Sequence, residues 1–176
     1  MLILFYEVIF FFLNFYFDQL LSTYGKKIYY FTYTFLEFTA LSLTLKFIIA
    51  DKRFNKFFLI PYILFFVFLL FFYTQIHIKR LDSIPIGIES ITLMLFIVYY
   101  YYNELKNVSS QNIYEKYSFW LVIGILTYIA FTFFFHIMAN SIDRNLINKY
   151  FHFSYLGDII KNIFFGIGVL FMAKSK

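Results

Sequence analysis

Long, continuously apolar runs separated by short polar or charged stretches make up most of the chain. A helix needs roughly 20 mostly apolar residues to cross about 30 Å of hydrocarbon. Runs of about this length predict six membrane spans, at residues 1–21, 28–50, 57–74, 86–104, 117–140 and 157–173. Residues 141–156 mix charged and apolar side chains, a pattern consistent with an interfacial helix.

The continuous character of these runs predicts helices rather than a barrel, whose strands alternate apolar and polar residues over about ten positions. The connections between the runs are short. The longest polar stretch, residues 103–116, is too short to bury a core of its own. We therefore predict an all-α fold in which residues 1–176 form a single membrane domain, a polytopic transmembrane helical bundle with short loops.

Two prolines mark predicted span starts. Pro61 falls near the start of the third predicted span, where its missing N–H costs little because the first turn lacks internal acceptors. Pro85 closes a breaker at residues 82–85, before the fourth span. Glu89 would then lie in the first turns of that span, where a helix N-terminus favours negative charge.

The amino-acid composition indicates the class of protein to which these apolar segments belong. The chain is 62% hydrophobic and 27% aromatic, but only 14% charged, whereas soluble domains carry about a quarter charged residues. It has no cysteine, which excludes a disulfide scaffold and thiol chemistry. We therefore predict an integral membrane protein.

The distribution of charge supports the same class. There are 15 Lys and Arg against 10 Asp and Glu, giving a net charge of +5, and most basic residues fall between apolar runs, as in membrane proteins. A nucleic-acid protein would gather them on a solvated face with exposed aromatic rings, so we expect a lipid bilayer as partner and no nucleic acid. One set of connections holds a slight excess of cations, which predicts cytoplasmic termini in the inner (plasma) membrane. That set is Lys52, Arg53, Lys56, Lys106, Lys116, Lys174 and Lys176.

Ionisable side chains inside the spans are the natural candidates for function, because a charge at the centre of a membrane helix costs about 2.5 to 3.5 kcal/mol. The ligand- or ion-binding candidates are Glu37, Glu89, Glu7, His136 and Asp158. The uncharged candidates for helix packing are Asn14, Thr34, Thr132 and Asn162. For Glu37, a proton- or cation-binding role and a purely structural hydrogen bond between helices carry equal weight.

Catalytic motifs do not appear in the sequence. The three histidines, His77, His136 and His152, lack the His-Glu-x-x-His spacing of an intramembrane zinc protease. No serine stands in a glycine-flanked nucleophile motif, and no phosphate-binding loop is present. We therefore expect no enzymatic activity, no metal and no cofactor.

Four short strings carry a resemblance to a known group of proteins. They are YTFLEF at residues 33–38, ESI at 89–91, FWLVIG at 119–124 and NIFF at 162–165. Together they resemble an uncharacterised group of small bacterial polytopic membrane proteins that commonly look seven-helical, one helix more than predicted here. Members are often encoded beside sensor histidine kinases. The resemblance implies a sensing or accessory role in the membrane, with a sensor kinase or another membrane protein as partner.

Two functions remain open from the sequence. The first is a sensory or accessory module that binds a small ligand or a partner membrane protein without catalysis. The second is a small proton- or cation-coupled transporter, channel or pore, working as a homo-oligomer, with Glu37 and Glu89 as the binding groups. Both place the interior carboxylates at the centre of function.

Overall fold

The computed structural model describes residues 23–49, 51–75, 83–106, 112–139 and 154–174. Within these ranges every regular element is a helix, which confirms the all-α prediction. In chain order the long helices are α1 (Thr23–Ile49), α2 (Lys52–Gln75), α3 (Ser83–Lys106), α4 (Tyr117–Ala139) and α5 (Ser154–Lys174), and a short 3₁₀ helix, Ile113–Glu115, precedes α4.

All five long helices are long and apolar enough to cross a membrane. They correspond to the second through sixth predicted spans. The first predicted span, residues 1–21, lies outside the described residues, as does most of the predicted interfacial segment 141–156, whose last three residues belong to α5. Several helices begin earlier than the predicted spans, because backbone hydrogen bonding continues through polar residues that a search for apolar runs leaves out.

The structure corrects the roles predicted for the two prolines. Because α2 begins at Lys52, Pro61 lies inside the helix, and its ring removes the N–H that would bond the Phe57 carbonyl. Pro85, predicted as part of a breaker, instead lies in the first turn of α3, where an N–H has no acceptor within the helix. Glu89 therefore lies past the first turn of α3, beyond the reach of the helix N-terminus.

The chain forms two compact units, residues 1–85 and 86–176. In the first unit a tight turn at Asp51 joins α1 to α2. The Asp51 carboxylate accepts a hydrogen bond from the Arg53 backbone N–H at 3.0 Å, and its carbonyl accepts one from Asn55 N–H, also at 3.0 Å. Asp51 thus caps the N-terminus of α2.

Aromatic rings form the contact between α1 and α2, which we call the aromatic seam. The Phe38 ring lies 4.2 Å from that of Phe65 and 5.8 Å from that of Tyr62, measured between ring centroids. Phe35 packs on Phe66 at 5.0 Å. A hydrogen bond also crosses the seam, between the Thr39 hydroxyl and the Tyr62 hydroxyl at 3.0 Å.

In the second unit α4 packs against α5 through glycines, in a contact that we call the glycine seam. A Cβ atom added at Gly124 would lie 3.1 Å from Phe164 Cβ, and one at Gly157 would lie 2.9 Å from Phe131 Cβ. Gly168 similarly faces Leu121. Residues further along α4 meet residues earlier in α5, so the two helices are antiparallel.

Polar contacts fix the connection between α3 and α4. The Tyr100 and Ser118 hydroxyls are hydrogen-bonded at 3.0 Å, and the Lys116 ammonium forms an ion pair with the Glu104 carboxylate. The Trp120 indole N–H donates to the Tyr114 carbonyl at 2.9 Å, which ties α4 to the 3₁₀ turn. These contacts hold the start of α4 close to the end of α3.

Candidate functional site

Glu37 lies in the middle of α1, in the first unit, with only 8% of its surface exposed. Thr34, one turn earlier, is also buried. The neighbouring hydroxyls bond within their own helix: Thr39 to the Phe35 carbonyl at 2.7 Å and Thr44 to the Ala40 carbonyl at 2.8 Å. Glu37 is therefore a buried carboxylate in the middle of a helix whose lysines lie towards its two ends. The roles predicted for Glu37 and Thr34 stay predictions.

Glu89 is the equivalent group in the second unit. It lies in α3 with 5% of its surface exposed, and the adjacent Ser90 is buried as well. One turn further on, the Thr92 hydroxyl donates to the Ile88 carbonyl at 2.8 Å, again within the helix. Glu37 and Glu89 belong to different units, and the binding roles predicted for them stay predictions. Each is a buried carboxylate on an apolar helix.

His136 is held by its own helix. Its Nδ1 lies 2.8 Å from the Thr132 carbonyl oxygen, one turn earlier in α4. A carbonyl oxygen only accepts, so Nδ1 carries the proton and donates to it. The backbone of Thr132 makes this contact, whereas the structure gives no test of the packing role predicted for its side chain. A ligand-binding role for His136 stays a prediction.

Lys161 is a buried cation that the sequence analysis did not select. Only 3% of its side chain is exposed; its ammonium lies 3.0 Å from the Asp158 carboxylate and 3.9 Å from the centre of the Tyr128 ring. The ring face attracts the cation, and the carboxylate neutralises it. Asp158, predicted as a ligand- or ion-binding candidate, is half of this ion pair, with 39% of its side chain exposed.

A signal for this site was present in the sequence. Lys161 follows Asp158 by three residues, and the steps from Gly157 to Lys161, Phe164 and Gly168 are four, three and four. These steps place all four residues on one face of α5, the face that meets α4. A cation on a glycine-bearing face points to a buried ion pair rather than to a surface lysine.

The remaining candidates fall into two groups. Asn162 lies in α5 beside Lys161, and its amide oxygen is buried, while its predicted packing role stays a prediction. Glu7 and Asn14 lie outside the described residues. Across the part of the chain that the structure describes, no three His, Cys, Asp or Glu side chains come together as metal ligands.

The arrangement defines the chemistry that is available. Buried carboxylates on α1 and α3 can accept hydrogen bonds from a donor, hold a proton or bind a cation. Comparisons with protein families, with curated proteins and with solved structures find no match. The resemblance carried by the four strings therefore remains a prediction, and the function has to be argued from the site.

Proposed function

We propose that the chain is a six-span inner-membrane protein with cytoplasmic termini that binds a small ligand or a partner membrane protein, without catalysis, in a sensory or accessory role. The observation that carries the proposal is the burial of Glu37 and Glu89 inside apolar helices. An ionisable group within a membrane span is expensive and faces a functional interior by default.

The neighbouring polar groups support binding by the carboxylates. The hydroxyls of Thr39, Thr44 and Thr92 each donate to a carbonyl of their own helix, and the Thr39 hydroxyl is also hydrogen-bonded to that of Tyr62 on α2. Uncharged side chains of this kind suffice for contacts between membrane helices, at an average of about 0.6 kcal/mol each. A carboxylate is a costlier choice for the same purpose, which favours a role in recognising a donor or a cation.

The connections between the described helices are too short to hold a soluble domain. Two residues separate α1 from α2, and the polar contacts around Lys116 and Trp120 hold the start of α4 close to the end of α3. A protein of this kind presents mainly its membrane helices to other molecules. A membrane protein such as a sensor kinase is the partner class that fits such a surface.

Capture of the tagged protein at native expression level tests the proposal. We expect mild detergent to release it with a reproducible partner, identified by mass spectrometry, and Glu37→Gln or Glu89→Gln to reduce the partner recovered by about tenfold, the effect of losing one charged hydrogen bond. Glu115→Gln is the matched control, because Glu115 is exposed on the 3₁₀ turn. Wild-type protein that is reproducibly released with neither a protein partner nor a bound small molecule would contradict the proposal.

A second candidate function is favoured by the same burial. Carboxylates that bind protons or cations on spanning helices would serve a small transporter, channel or pore assembled as a homo-oligomer. Flux of protons or K⁺ into vesicles containing the purified protein separates the two functions. Flux that Glu37→Gln and Glu89→Gln abolish and Glu115→Gln preserves would establish transport.

A further inference from the structure

The exposed face of α2 has two zones. At its start Lys52, Arg53 and Lys56 are exposed, at helical steps that place them on one side. The same side continues with apolar residues that are half or more exposed. These are Ile60, Ile63, Leu64 and Val67. One side of α2 therefore presents cations at the start of the helix and a continuous apolar surface in the turns that follow. We call this whole side, with its cations and its apolar residues, the lipid face.

The length of the lipid face matches one leaflet of a bilayer. Lys56 and Val67 are eleven residues apart in one helix, which at 1.5 Å per residue corresponds to about 16 Å. Half of a hydrocarbon core of about 30 Å is about 15 Å. A phospholipid whose headgroup lies beside the cations would thus extend its acyl chains along the apolar zone.

The charges at the turn favour an anionic headgroup. Asp51 uses one carboxylate oxygen to cap α2 through the Arg53 N–H, so the helix N-terminus is already occupied by a side chain. The neighbouring Lys46 ammonium lies 5.0 Å from the centre of the Phe58 ring and adds a fourth positive charge. Four cations against one carboxylate leave an excess of three positive charges, counted over residues 46–56.

We propose that the lipid face binds an anionic phospholipid, with the phosphate held by Lys52, Arg53 and Lys56 and the acyl chains lying against Ile60 to Val67. Anionic lipids enrich the cytoplasmic leaflet, so the site places the α1–α2 turn on the cytoplasmic side. The inference goes beyond the proposed function and does not use Glu37 or Glu89.

Native mass spectrometry of the protein in nanodiscs of equal phosphatidylglycerol and phosphatidylcholine tests the site. We expect wild-type protein to retain phosphatidylglycerol over phosphatidylcholine by about tenfold or more. The combined change Lys52→Gln, Arg53→Gln and Lys56→Gln removes the preference. Raising the salt to about 0.5 M weakens it in the wild type, because the Debye length shortens.

A matched control removes the same charge elsewhere. Lys26→Gln, Lys27→Gln and Lys106→Gln together lower the net charge equally, and we expect the lipid preference to stay within about twofold of wild type. Equal retention of the two lipids by the wild type, an unchanged preference in the α2 variant, or an equal loss in the control would each overturn the proposal. The salt series uses wild-type protein alone and so holds even where a variant fails to fold.

Discussion

The aromatic seam and the glycine seam differ in what brings their helices together, although Trp120 of α4 also stacks on Phe164 and Phe171 of α5. Between α1 and α2, rings meet at centroid distances of 4.2 Å and more, around the Thr39–Tyr62 hydrogen bond. Between α4 and α5, glycines admit the partner so closely that an added Cβ would lie 2.9 to 3.1 Å from neighbouring carbon atoms. In a bilayer, where lipid is as apolar as a leucine side chain, both packing modes replace the hydrophobic effect that drives soluble folds.

This difference predicts which substitutions each helix pair tolerates. In the aromatic seam a single ring contacts several others, as Tyr62 does with Phe35, Phe38 and Phe58, so the loss of one contact leaves the others in place. The glycine seam has no spare volume, and it encloses the Lys161 ammonium between Asp158 and Tyr128. We therefore expect the α4–α5 contact to be the more sensitive of the two, and the following variants test that ranking from the largest effect to the smallest.

Loss of the partner of Lys161 is expected to have the largest effect. Asp158→Asn leaves a buried ammonium without its carboxylate, and we expect the free energy of unfolding to fall by about 2 to 3 kcal/mol, less than for a fully buried pair because Asp158 is partly exposed. Lys161→Met removes the buried charge itself and is expected to change stability by less than about 1 kcal/mol. Unfolding by sodium dodecyl sulfate, followed by circular dichroism, measures both. Equal losses in the two variants would show that the ion pair is not the source of stability.

Addition of one methyl group to the glycine seam is expected to have the second-largest effect on the free energy of unfolding. Gly157→Ala places a Cβ 2.9 Å from Phe131 Cβ, an atom next to the backbone that cannot move away alone, and Gly124→Ala is nearly as tight. We expect each to lower the free energy of unfolding by about 1 to 2 kcal/mol. Gly166→Ala is the control, because nothing lies within 4 Å of its added Cβ, and better helix propensity should leave it unchanged or slightly more stable. A loss in Gly166→Ala as large as in Gly157→Ala would refute the steric explanation.

The smallest effect is expected in the aromatic seam. Tyr62→Phe keeps the ring contacts and removes only the hydrogen bond to Thr39, so we expect a loss of about 0.6 kcal/mol. Tyr102→Phe, on an exposed position of α3, serves as the control and should be neutral. The same unfolding assay ranks Tyr62→Phe against the glycine variants, and a larger loss in Tyr62→Phe would reverse the comparison between the two seams.

Much of the fold follows from features that a linear sequence displays. Apolar runs of sufficient length require helices in a membrane, and this is why the five described helices lie where spans were predicted. The residues at which the helices begin were harder to predict from the sequence. The apolar run of the third predicted span begins at residue 57, which places Pro61 near its start. The helix itself begins at Lys52, because the polar residues before the apolar run are helical as well.

The candidate site was less predictable from the sequence than the fold. The burial of Glu37 and Glu89 agrees with the cost argument that selected them. Lys161 lies inside the sixth predicted span, near its start, and was not selected as a candidate. Its burial depends on a tertiary fact, the close approach that Gly124 and Gly157 permit between α4 and α5. Periodicity could show that Lys161 shares a face with glycines, but only the packed pair shows that Tyr128 and Asp158 enclose it.

The most direct test of binding at Glu37 is native mass spectrometry of the protein released from membranes in mild detergent, which detects small-molecule adducts and protein partners alike. We expect wild-type protein and Glu115→Gln to carry the same bound species, and Glu37→Gln to carry about tenfold less of it. Phospholipid adducts governed by Lys52, Arg53 and Lys56 are distinguished by their masses. Wild-type protein without a bound species, or a species that Glu37→Gln retains in full, would contradict the proposed binding function.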